Sequence, residues 1–310
     1  MNRFIKRIHF QNMHMHLDKS HQINSKILKL SNQHMQNKWQ LIENVKKNYT
    51  PKGLYKNMAK EILNQKNQGV TKIRSFIDVD STIGLLAWNT AQSLKQRFNN
   101  DRFKIELGVQ PLKGLANDQE FDLFKLASKD ADFVGALPSR DGTEFFNLHM
   151  DRVFSVAHLY GLPVDAHLDQ LNHPHEEETE KFVEFVEKWN YQGKSNAIHC
   201  VSLSKKDPYY IDRVSQRLYD NDIGVIVCPS AAISMMQYIN VSANISNSIA
   251  PVNILINNGV RVALGTDNVH DIFMPLSDGD MNFEIRLLAE ATRIYDIDIL
   301  KKIAENYWKV

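Results

Sequence analysis

Two hydrophobic patterns alternate along the chain. Short apolar runs rich in β-branched and aromatic residues fall at 7–13, 71–79, 103–110, 132–137, 163–167, 196–199, 224–228 and 260–265, and each reads as a strand. The stretches between them carry apolar residues at helical spacing. Examples are Phe182, Val183, Phe185, Val186 and Trp189 after the fifth run, and Ile211, Val214 and Leu218 after the sixth. Repeated strand-then-helix order predicts a parallel sheet. Eight such units favour closure into an α/β barrel of the TIM type, (β/α)8, over an open doubly wound sheet of about five to seven strands. No Gly-x-Gly-x-x-Gly turn follows the first run, which weighs against a dinucleotide fold. Residues 25–68 form a long first excursion, read as two helices with a turn near Tyr49. The whole of 1–310 is expected to be one domain.

Composition narrows the partners. The 310 residues include 37 Lys and Arg against 36 Asp and Glu, for a net charge of +1, so no global field would hold nucleic acid or an anionic membrane. The two cysteines, Cys200 and Cys228, form no Cys-x-x-Cys pair, which argues against a disulfide scaffold and a thiolate zinc site. The first residues lack the apolar core of a signal peptide, and no apolar run approaches the ~20 residues of a membrane span. A cytoplasmic protein is the expectation, and its partners must be argued from a site.

In such barrels the chemistry gathers where strands end and βα loops begin. The first strand leads into His14-Met-His16, the fifth ends at His167, the sixth at His199, and the eighth runs into Asp267. Alternate residues of a strand share a face, so His14 and His16 point together. Imidazole and carboxylate suit zinc or ferrous iron, and a site with an open position is the catalytic kind. Such an ion lowers the pKa of bound water from 15.7 to about 7. A lone His-x-His is more often a solvated or core pair, but four strand ends obeying one architectural rule favour a metal site. His34, His158, His173 and His175 fall on expected helices or loops with no shared focus. His21 and His270 lie nearer the mouth and read as solvated loop residues.

At these residues the chain resembles the cytosine deaminase branch of the amidohydrolase superfamily. The segments that carry the likeness are Asn12-Met-His-Met-His-Leu-Asp-Lys19, Val164-Asp-Ala-His-Leu-Asp-Gln170, Ile198-His199 and Gly265-Thr-Asp-Asn-Val-His-Asp-Ile-Phe-Met-Pro-Leu-Ser-Asp-Gly-Asp-Met281. The last of these is more similar to triazine-processing relatives such as N-isopropylammelide isopropylamidohydrolase. The resemblance implies one divalent metal, zinc with iron as the alternative, held by His14, His16 and His167 with Asp267 at or near it. The fourth strand ends in Gly135-Ala-Leu-Pro-Ser139, without the lysine of the two-metal variant. Lys19, Gln110 and Asn268 are carried over as substrate contacts. For Lys19 the plain alternative is a solvated loop charge. Phe273 is read as a pocket wall, with buried packing equally consistent, and Asp78 as a structural hydrogen-bonding group.

Two departures bear on function. Where cytosine deaminases carry a proton-shuttling glutamate this chain has Gln170, and loss of a positioned acid-base group typically costs about 10²- to 10⁴-fold. That leaves His199 as acid-base group, with Asp267 able to accept the first proton and Gln170 orienting the ring. The segments that frame the barrel as a β-sandwich in relatives are also expected to be missing, which makes the chain a minimal or a truncated barrel. The expected reaction is hydrolytic deamination or dealkylamination of an aminopyrimidine or aminotriazine. The alternatives are cyclic amide hydrolysis and a catalytically silent metal- or ligand-binding barrel. The His-x-Glu and Pro-Cys-x-x-Cys signature of nucleic-acid deaminases is absent. Relatives suggest a homo-oligomer.

Overall fold

The computed structural model describes residues 8–235 and 249–308. Residue 7, where the first strand was expected to start, lies outside them. The strands are β1 (Gln11–His16), β2 (Lys72–Asp78), β3 (Lys104–Gln110), β4 (Phe133–Ala136), β5 (Val164–Leu168), β6 (Ser195–His199), β7 (Gly224–Val227) and β8 (Val262–Leu264). They form one eight-stranded sheet in the order β1 to β8, with parallel ladders between β2 and β3, β3 and β4, β6 and β7, and β7 and β8. This is the (β/α)8 order read from the sequence. The strands are almost wholly buried, which is why they appear as continuous apolar runs rather than alternating ones.

Helices separate the strands: α1 (Ser25–Leu30), α2 (Met35–Lys46), α3 (Pro51–Asn67), α4 (Leu86–Phe98), α5 (Asp118–Ser128), α6 (Phe146–Tyr160), α7 (Glu178–Trp189), α8 (Pro208–Asp220), α9 (Pro229–Ser234), α10 (Val252–Asn257), α11 (Met281–Thr292) and α12 (Ile297–Glu305). The first excursion therefore holds three helices, not two. Asn24 caps α1 by accepting from the N–H groups of Lys26 and Ile27, and the polar Ser31-Asn32-Gln33 stretch ends it before α2 begins. The turn near Tyr49 stands where expected, with Thr50 capping α3 and Pro51 in its first turn.

The chain divides into two compact units. One draws on Met15–Asp165 and Asp267–Gly279. Its interior stacks Phe76 against Phe133, ring centroids 5.0 Å apart, under the Arg74 guanidinium, whose carbon lies 3.9 Å from the Phe133 centroid. Arg74 Nε donates to Asp165 Oδ2 at 2.6 Å, so the buried charge is paired. Gly108 and Gly135 make room for the rings: a Cβ would fall 2.1 Å from Phe133 at the first and 2.6 Å from Phe76 at the second.

In the same unit Met15 bridges Asp267 in parallel, bringing β1 beside the chain that leaves β8. The other unit draws on Met1–His14, Ala166–Thr266 and Asp280–Val310. There Asn12 Nδ2 donates to Thr266 Oγ1 at 2.9 Å, while Asn12 Oδ1 accepts from the Thr266 N–H at 3.1 Å. Gly265 passes so close to β1 that a Cβ would sit 2.7 Å from the His14 carbonyl oxygen.

Candidate active site

β1, β5 and β6 gather three histidines. The ligand nitrogens of His14, His167 and His199 all lie within 4.8 Å of one another, and all three side chains are buried. Their ring centroids are 4.8 Å apart for His14 and His167, 5.3 Å for His14 and His199, and 5.5 Å for His167 and His199. His199 has a φ of 72° and Cys200 one of 48°, a left-handed turn that β-carbons resist. The Cys200 N–H donates to the Leu168 carbonyl at 3.1 Å, so the end of β6 is pinned to the end of β5. Cys200 and Cys228 are buried, and neither forms a disulfide.

The second group centres on His16. Its Nε2 lies 3.1 Å from Asp267 Oδ1, and Asp267 is itself held at a φ of 60°. Burial and then the neighbouring Lys19 ammonium pull the His16 pKa down, which favours the neutral imidazole that ligates metals. Lys19 is not a solvated loop charge. It is buried, with Nζ 2.6 Å from Asp78 Oδ1, 3.5 Å from Asp18 Oδ1 and 3.5 Å from His16 Nδ1. Asp78 is structural, as expected, but ionic: its other oxygen lies 2.6 Å from Lys46 Nζ, which also reaches Asp80 at 2.6 Å. Burial pushes Asp78 up, yet Lys19 and Lys46 outweigh it and hold the carboxyl at about 2. For Asp18 burial prevails over Lys19, and its carboxyl rises to about 6. Sequence reading missed Lys46. It sits in the last turn of α2, where a lysine signals only a favourable helix end.

The remaining expected contacts are also near strand ends. Gln110 closes β3 in register with Asp78, and its Oε1 is buried with no hydrogen-bond partner among the described residues. Asn268 is buried and donates through Nδ2 to Asp271 Oδ2 at 2.5 Å. Burial raises the Asp271 carboxyl to about 7, against the N–H of Met274 and the Asn268 amide. Phe273 is half-buried, and its carbonyl accepts from Lys38 Nζ at 3.2 Å. Gln170 is buried in the loop after β5.

That loop is braced by acids that sequence reading passed over. Asp169 accepts from the N–H groups of Glu178 and Thr179 and from the Thr179 hydroxyl. Glu176 accepts from the Leu171 N–H and from the Ser202 hydroxyl beyond β6. Gln170 is thus fixed from both sides. A second missed residue is His149 on α6, whose Nε2 accepts from the Leu137 N–H at 3.0 Å while Nδ1 meets Asp141 at 2.6 Å. Asp141 also accepts from the N–H groups of Leu115 and Ala116, so this buried pair ties two loops together. His21, expected to be solvated, instead meets Glu61 at 2.9 Å with only a tenth of its side chain exposed.

The donor chemistry fits a transition metal. Buried imidazole nitrogens at mutual ligand spacing suit a bound ion, and nitrogen donors select zinc, iron or copper over magnesium or calcium. Across residues 10–301 the chain matches the model of the amidohydrolase family. The chain belongs to that family. Among curated proteins the amidohydrolase is similar to an uncharacterized protein of Haemophilus influenzae, 26% identical over 236 residues that cover 74% of this chain and 84% of that one. It is 25% identical over 227 residues to the uncharacterized protein YahJ of Escherichia coli, covering 72% of this chain and 46% of YahJ. Among solved structures, 5-methylcytosine deaminase of Klebsiella pneumoniae liganded with 5-fluorocytosine has a TM-score of 0.87 at 20% identity, over 96% of this chain and 72% of that one. N-isopropylammelide isopropylaminohydrolase of Burkholderia multivorans has a TM-score of 0.78 at 19% identity, over 96% and 72%. At these identities the likeness establishes the fold. Among the described residues no helix of the amidohydrolase is long and apolar enough to cross a membrane.

Proposed function

We propose that this amidohydrolase removes an amino or alkylamino group hydrolytically from a small nitrogen heterocycle, an aminopyrimidine or aminotriazine, using one divalent metal. The observation that carries the reading is the convergence of His14, His167 and His199 within 4.8 Å. His16 stands two positions beyond His14 on the same strand, so the period of β1 turns both imidazoles to one side, and His16 brings Asp267 with it. In this reading His14, His16 and His167 hold the ion with Asp267 at or near it, zinc before iron. Such an ion supplies a water-derived nucleophile at neutral pH and charge stabilisation for the attack.

The chain's own groups do the rest. Water adds its oxygen to the ring carbon and the C–N bond breaks, giving the oxo-heterocycle and ammonia or alkylamine. Both protons of the water must move, one to the ring nitrogen beside the attacked carbon and one to the leaving nitrogen. Asp267 is able to accept the first as it leaves the water, and His199 makes both transfers. Gln170, an amide braced by the Asp169 and Glu176 contacts, orients the ring instead of shuttling protons. Support for a heterocyclic amine comes from the structural neighbours, which include a 5-methylcytosine deaminase and a guanine deaminase of C. acetobutylicum.

The test is elemental analysis of the purified protein joined to an ammonia- and alkylamine-release screen over purine, pyrimidine, pterin and triazine amines. About one equivalent of zinc or iron with amine release supports the reading. A ring-opened acid without released amine would make the protein a cyclic amide hydrolase. Bound metal without turnover on any substrate would leave a silent binding barrel.

A further inference from the structure

Tyr49 occupies the turn between α2 and α3, where its main-chain N–H donates to the Lys46 carbonyl at 2.9 Å. Its hydroxyl oxygen is shielded from solvent and makes no hydrogen bond among the described residues. Burial comes first, then the carboxylates of Asp18, Asp78, Asp271 and Asp80, and together they push the phenol well above its ordinary range. It is therefore a neutral O–H, a donor amid negative charge.

Those carboxylates come from three separate stretches. Asp18 follows His16 beyond β1, Asp78 ends β2, and Asp271 follows Asp267 beyond β8. Lys46, three residues before Tyr49, reaches Asp78 and Asp80 at 2.6 Å each, which holds this turn at the end of β2, in the same unit as the His16–Asp267 pair. Each neighbouring acid is already engaged: Asp78 by Lys19 and Lys46, Asp18 by the Asp78 N–H, Asp80 by Lys46, and Asp271 by Asn268 and two main-chain N–H groups. A buried hydroxyl without a partner destabilises a fold, and such groups in native proteins call for an explanation such as an incoming ligand or an ordered water. Gln110 Oε1 is a second buried polar atom of this kind, next to Asp78 in the β2–β3 ladder.

We propose that Tyr49 is a substrate-binding residue whose hydroxyl donates to an acceptor on the heterocycle, a ring carbonyl oxygen or an unprotonated ring nitrogen. With Gln110 Oε1 taking a ring N–H or amino hydrogen, the pair selects rings that carry an acceptor and a donor together. This rests on the proposed deaminase reading.

The experiment compares the metal-loaded wild type with Tyr49→Phe on whichever heterocyclic amine the release screen identifies, and on an analogue in which the acceptor atom is replaced by C–H. The expected result is a KM about tenfold higher for the variant on the acceptor-bearing substrate, with kcat changed by less than about threefold. On the analogue the two proteins should share one KM. The melting temperature should stay level or rise, since no protein bond is lost. Equal KM values on the acceptor-bearing substrate overturn the assignment, as does a KM penalty that persists on the analogue or a lowered melting temperature, which would make the hydroxyl structural. A wild type that neither binds nor turns over any such amine sinks the deaminase reading and this inference together; turnover indifferent to Tyr49 sinks this inference alone.

Discussion

His16 and Asp267, from opposite ends of the chain, meet at 3.1 Å, with the neighbouring Met15 bridged to Asp267 through the main chain. The pair sits beside that main-chain bridge, so the carboxylate is held by backbone pairing rather than by a free loop. If the two side chains share an ion, Asp267→Asn should cut both metal content and turnover while leaving the fold intact. Metal analysis after dialysis is the check, together with chelation followed by readdition of zinc or ferrous iron. Full metal occupancy in Asp267→Asn would place this carboxylate outside the metal's coordination.

The division of labour between His199 and Gln170 is open to kinetics. His199→Asn keeps a polar group but cannot carry a proton, and kcat should fall by about 10²- to 10⁴-fold with metal retained. Gln170→Ala should act mainly on KM, because an orienting amide binds ground and transition states alike. The opposite split would overturn both assignments.

Lys46 compensates two buried carboxylates, Asp78 and Asp80. Removing it in Lys46→Met should cost on the order of 3–5 kcal/mol, since it leaves buried negative charge unopposed. The loss depends on pH. The folded pKa of Asp78, about 2, lies below its ordinary 3.8, so its ion pairs stabilise the fold fully above that ordinary value and lose their effect as pH falls through the folded one. Denaturant titrations of the two proteins should therefore converge toward strongly acid pH. A constant gap would assign the cost to packing.

Glu176 shows the reverse sign. Burial and the charge of Asp169 raise its carboxyl from 4.5 to about 8, so the folded protein keeps a proton that the unfolded chain releases. Stability from this group is complete below 4.5 and lost as pH rises through about 8. Glu176→Gln mimics the protonated acid and should flatten the decline in melting temperature across that window, with little change at about pH 5. Parallel profiles would mean that Glu176 is ionised in the native state.

The strand ends and their histidines were legible in the sequence because periodicity and one architectural rule act on the same positions. His14, His167 and His199 needed no knowledge of partners, only of where each strand stops. Lys46 and His149 were not legible for the opposite reason. Each owes its role to a partner distant in sequence or on another element, and helical spacing carries no information about what a side chain meets across the fold. The solvated alternative for Lys19 and the solvated reading of His21 fail for the same reason, since their carboxylate partners Asp78 and Glu61 lie far along the chain. The break between α1 and α2 was blurred by a polar stretch without glycine or proline.

In the proposed reading, the left-handed backbone at His199 and Asp267 sets thermal endurance against chemistry. Glycine is the residue that such a conformation prefers, by roughly 1–2 kcal/mol per position, and it has neither imidazole nor carboxylate. A library of this protein selected only for surviving heat would drift toward glycine at both places and come out sturdier and inert.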